Sequence, residues 1–169
     1  MMLTYCNKKT KEIEQIQEIE TIDDGEKTVV NTKISEPVLT QITESNLKIV
    51  AIAQKAQEAT MSNRTRTILV EIEKKHLQLK NKIRKIAKDN FIIIPNTLYD
   101  TRLIKNFIAE INTTSYLKKL ENSLLMELDL YNEINLNSQN NDLKKLTEEA
   151  IPVIKKNIAI VKTEQKRLE

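Results

Sequence analysis

Apolar side chains recur at steps of three and four along most of this chain, the period of helices that bury one face. The first stripe reads Leu39, Ile42, Asn46, Ile49, Ala53 and Ala56. The second reads Leu69, Ile72, His76, Leu79, Ile83 and Ile86, and the third Leu117, Leu120, Leu124, Leu128 and Tyr131. A fourth carries Leu146, Ala150, Val153, Asn157, Ile160 and Val161. These patterns predict helices over about 36–59, 64–89, 115–135 and 143–168.

Start and stop signals agree with those bounds. Ser35 can cap the first helix, with Glu36 and Pro37 suited to its first turn. Ser62 or Asn63, Thr113 or Thr114, and Asn141 or Asp142 are candidate caps for the other three. Pro152 falls inside the fourth pattern and is expected to kink or divide that helix.

Between the second and third stripes, Phe91-Ile92-Ile93-Ile94-Pro95 reads as an apolar connector tucked over a bundle end. Ile104, Phe107, Ile108 and Ile111 then predict an extra short helix, about 97–111, before the third long one. Residues 1–34 differ from everything after them. Isoleucines 13, 16, 19 and 22 are scattered among Lys, Glu and Gln, too few to offset the entropy of ordering. They are expected to form a flexible linker, and residues 35–169 an all-α, up-and-down four-helix bundle with short links.

Composition supports that class. One Gly, three Pro and 4% aromatic residues in 169 leave little material for β turns and strands. The formal charge of +3 is a small difference between 27 basic and 24 acidic residues, so no nucleic-acid partner is expected. No run of about 18 apolar residues is present to span a membrane as a helix. With one Gly and one His, neither a phosphate loop nor a nucleophilic triad can be assembled, which argues against an enzyme and a nucleotide cofactor.

Several residues taken in order resemble a family of ferritin-like bacterial envelope proteins, assigned to the outer membrane and without an assigned function. These are Glu73-Lys74-Lys75-His76, then Leu79, Ile83 and Ala87, the Ile94-Pro95 turn, Tyr116, and Ile151-Pro152. The resemblance covers the chain from about Ser35 onward and implies a ferritin-like bundle in the cell envelope, periplasm or outer membrane. In that family the third and fourth helices usually carry a histidine each. Here the corresponding places hold Glu127-Leu128 and Asn157, and an acid of the first helix is replaced near Lys48 or Val50.

Candidate chemistry is sparse. Glu73 and His76, three apart, share one side of the second helix, and with Glu127 they could form a mononuclear metal site. A di-iron centre needs two such motifs, and the second histidine is missing. The alternative is a semi-buried histidine hydrogen-bonded to a carboxylate or to Asn157, with no metal and no cofactor. The second helix is also strongly basic, most simply as a solvated face. Leu3-Thr4-Tyr5-Cys6 partly resembles the box in which a bacterial lipoprotein cysteine is lipidated, although five upstream residues are too few for a signal peptide. The reading is therefore a non-catalytic envelope protein with a binding or structural role toward an unknown protein or envelope partner. Its only membrane attachment would be a lipid on Cys6. The rival readings are a metal-binding or redox-linked bundle centred on Glu73, His76 and Glu127, and a cytoplasmic interaction module.

Overall fold

A computed structural model describes residues 33–94 and 112–169 of the chain. Among them are four helices and no strand: α1 (Glu36–Ala59), α2 (Asn63–Asp89), α3 (Thr113–Asn137) and α4 (Asn141–Leu168). The described residues form a four-helix bundle. The expected short helix before α3, the linker ahead of Lys33 and Cys6 lie outside the described residues.

Local chemistry sets the helix ends. Ser62 Oγ accepts from the Thr65 amide, Asn112 Oδ1 from Ser115, and Asn140 Oδ1 from both Asp142 and Leu143. The caps of α3 and α4 are thus one residue earlier than the threonines, Asn141 or Asp142 expected from the pattern. An amide oxygen reaches the free N–H groups of a first turn from the Ncap position only. At the far end of α2, Ile92 N–H donates to the Ala87 carbonyl and Phe91 N–H to Lys88. That pairing closes the helix with Phe91 at φ 55, a left-handed conformation that glycine would adopt without strain. Phe91 and Ile93 are left in solvent, so only Ile92 and Ile94 pack as the expected connector.

Helix α4 is continuous across Pro152 rather than divided. Pro152 and Glu148, four residues before it, both lie on the exposed side, where water can serve the carbonyl that loses its N–H partner.

The order of the helices departs from strict up-and-down alternation. Thr113 Oγ1 donates to the Ala59 carbonyl at 3.1 Å, so α3 begins where α1 ends. Thr65, at the start of α2, bonds Glu164 at the end of α4. Hence α2 and α3 run in the same direction and sit diagonally, while the packed neighbours are α1–α2, α1–α3, α3–α4 and α2–α4. Two tight hairpins are therefore joined by a link between opposite ends of the bundle. The sequence between Asp89 and Thr113 is long enough for this. At about 1.5 Å per residue α2 measures about 40 Å, which over twenty residues of extended chain can cover.

Side-chain burial corrects positions on three of the helices. On α3 the core receives Glu127 instead of Leu128, which is only partly buried. On α4 Ile154 and Ile158 are buried, whereas Val153 and Ile160 are half-exposed along the α2–α4 seam. On α2 the last core position is Ala87, with Ile86 at the margin.

A buried polar layer as candidate functional site

Each helix contributes one fully buried polar residue to its apolar stripe near mid-length. They are Asn46 between Ile42 and Ile49, His76 between Ile72 and Leu79, Glu127 between Leu124 and Tyr131, and Asn157 between Ile154 and Val161. The registers bring them level. Asn46 counted back from Ala59, His76 counted from Asn63 and Glu127 counted from Thr113 all lie between three and four turns from the same end. The α3–α4 pairs Glu121–Lys162 and Asn135–Thr147 place Asn157 within about half a turn of Glu127.

His76 and Glu127 are both 0% exposed and joined, Nε2 to Oε2, at 2.9 Å. The other ring nitrogen, Nδ1, lies 2.9 Å from the Ile72 carbonyl. A carbonyl can only accept, so Nδ1 carries a hydrogen and the tautomer is fixed. The histidine expected to keep an edge near water is completely enclosed, because α2 and α3 face each other diagonally across the bundle core.

Glu73 does not join this pair. Its two carboxylate oxygens accept from Gln54 Nε2 at 2.8 Å and Gln57 Nε2 at 2.7 Å, both on α1. Positions three apart share a side of a helix but differ by about 60° around it, enough to turn Glu73 onto the α1–α2 seam. Among the described residues, no group of three or more His, Cys, Asp or Glu side chains is placed to hold a metal ion.

The rest of the layer is unusual in what it leaves open. Asn46 Oδ1 and Nδ2, Asn157 Oδ1 and Nδ2, Glu127 Oε1 and Tyr131 Oη are buried with no hydrogen-bond partner. Each such atom costs on the order of 1–3 kcal/mol. The atoms combine donors with acceptors. Bridging water serves both kinds, whereas a bare cation would serve the oxygens alone and strand two amide NH2 groups. Burial, and then the Glu127 carboxyl one turn back, push the Tyr131 phenol well above its usual range, so it stays protonated. Lys48, on α1, stands half-buried. Burial, and then the Lys119 charge, lower its pKa.

A second buried carboxylate, which the sequence reading did not single out, closes the end of the bundle. Glu164 is 1% exposed and accepts from Thr65 Oγ1 at 2.5 Å and from Arg167 Nη2 at 2.6 Å and Nε at 3.1 Å. Arg64 adds an ion pair at 3.4 Å. The Arg167 guanidinium, against an opposing burial effect and helped by Thr65, holds this carboxyl below the usual range.

Protein-family models, curated proteins and solved structures give no match to the chain. The layer itself had a signal that sequence reasoning could have used. A polar residue interrupts each of the four stripes at a comparable distance from a helix end, and Glu127 continues the steps Leu117, Leu120, Leu124 more regularly than Leu128 does.

Proposed function

We propose that this is a non-catalytic helical-bundle protein with a structural or binding role, built on a ferritin-like scaffold and held at the bacterial cell envelope. The observation that carries the first part is the closure of the polar layer. His76, Glu127, Asn46 and Asn157 have at most 1% of their surface exposed, so their chemistry is turned inward, where it fixes the register of four helices. The ferritin-like scaffold is supported by the connectivity, two hairpins joined by one long crossover. The envelope location rests on the sequence resemblance and on Leu3-Thr4-Tyr5-Cys6. No described helix is long and apolar enough to cross a membrane, so attachment would be through lipid on Cys6. Mass spectrometry of the protein from its native host tests this directly. A diacylglycerol-modified Cys6 in the membrane fraction is expected, and an unmodified Cys6 in the cytosolic fraction overturns the envelope role.

A second reading is favoured by one specific feature. His76 donates Nδ1–H to a backbone carbonyl, the arrangement that orients a metal-ligating imidazole, and Glu127 keeps one oxygen unpartnered beside it. In this reading the bundle holds a metal or a redox-linked centre on His76 and Glu127, without Glu73. Calorimetric titration with iron, zinc or manganese separates the two. A one-to-one complex of about micromolar affinity or tighter, lost in His76→Ala, makes the metal reading prevail.

A further inference from the structure

The α2–α4 seam is the loosest of the four contacts between neighbouring helices. Two depressions lie along it, one of about 280 Å³ toward the end where α2 starts and one of about 620 Å³ toward the end where α2 stops. Their floor is apolar, with half-buried Ile68, Val153 and Ile160, two of which the sequence pattern had assigned to the closed core. Their rim is basic. Lys75, Lys85 and Lys156 line it and make no ion pair among the described residues, while Lys82 pairs with Glu149 across the seam.

The chain itself carries a segment of the opposite character. Residues 12–26 hold seven acidic side chains, no basic one, and isoleucines at 13, 16, 19 and 22. We propose that this segment, which by its own composition would stay a flexible linker, docks in the α2–α4 groove, its isoleucines on the apolar floor and its carboxylates against Lys75, Lys85 and Lys156. The location favours it. Helix α1 begins at the end of the bundle where α2 stops, which is where the wider depression lies. Position 26 is seven residue steps from Lys33, a reach of about 23 Å in extended chain. Packed helix axes stand about 8–10 Å apart, so one helix must be crossed. The unpaired lysines of the rim complement the acidic segment, and removing water from the half-buried floor adds about 25 cal/mol per Å². The docking holds whether or not the protein is anchored at the envelope, and its failure would leave that role standing.

Amide hydrogen exchange on the full chain, read by mass spectrometry, tests the contact. Exchange of residues 12–26 should be at least about tenfold slower at about 20 mM salt than at about 0.5 M, where surface charges are screened. Lys75→Glu, Lys85→Glu and Lys156→Glu together should abolish that protection. The same charge change placed on exposed Lys118, Lys144 and Lys145 should leave it intact, with helix content by circular dichroism confirming that both variants fold. Unprotected exchange at low salt overturns the proposal, as does equal loss in both triple variants. Protection that grows with protein concentration would put the segment on a second copy and overturn the intramolecular contact.

Discussion

Glu127 and Glu164 are both removed from water, and the bundle treats them in opposite ways. At the end of the molecule Glu164 meets Thr65, Arg167 and Arg64, whose charged heads remain in contact with solvent. In the middle Glu127 meets one imidazole, and its second oxygen has no hydrogen-bond partner among the described residues. A helix end lets long basic side chains reach a buried acid from outside. The mid-bundle core admits only what four helices project inward, so its electrostatics are settled by a few short side chains. A carboxylate at the end can therefore be satisfied by geometry alone, whereas one in the middle depends on its single partner.

The largest effect should come from removing that partner. His76→Leu leaves a buried carboxylate uncompensated and should cost about 3–5 kcal/mol in chemical denaturation. The double variant His76→Leu with Glu127→Leu should recover most of the loss, because an apolar layer needs no pairing. A single variant costing less than the double would show that the pair is not coupled as the 2.9 Å contact implies. Leu124→Ala, one turn before Glu127 and fully buried, calibrates the purely apolar part of the same region at about 2–5 kcal/mol.

At the end of the bundle the effect should be smaller and should depend on pH. The depressed Glu164 pKa contributes stability that is complete above the unfolded-state value of about 4.3 and is lost as pH falls through the lower folded-state value. Glu164→Gln should cost about 1 kcal/mol at neutral pH, since its basic partners are substantially exposed. Its melting temperature should also fall less steeply than the parent's on acidification below about pH 4.3. An unchanged acid limb would mean that Glu164 gains nothing from Arg167. The smallest change expected is a gain. Phe91 is 97% exposed and left-handed, so Phe91→Gly should add about 1 kcal/mol without loss of packing.

Much of this molecule was legible in the periodicity of its side chains. The four helices, their approximate bounds, the Ser62 cap and most core positions follow from local rules that act within one or two turns. Leu128, Val153 and Ile160 were misplaced for a common reason. A stripe with apolar residues on both sides of its centre line does not say which side meets a neighbour. Glu127 was recognised as a carboxylate that could meet His76, but its role in a layer was not, because level is a relation between helices.

By itself, then, the sequence determined an all-helical fold class, four amphipathic segments and a polar interruption in three of them. Only the tertiary structure decided that α2 and α3 run the same way, that the four buried polar residues meet at one height, and that Glu73 turns away to α1. The physical reason is range. Helix propensity, capping and amphipathic period are fixed by residues three or four apart, whereas helix order and register are fixed by contacts such as Thr113 to Ala59 and Thr65 to Glu164, between residues far apart in sequence.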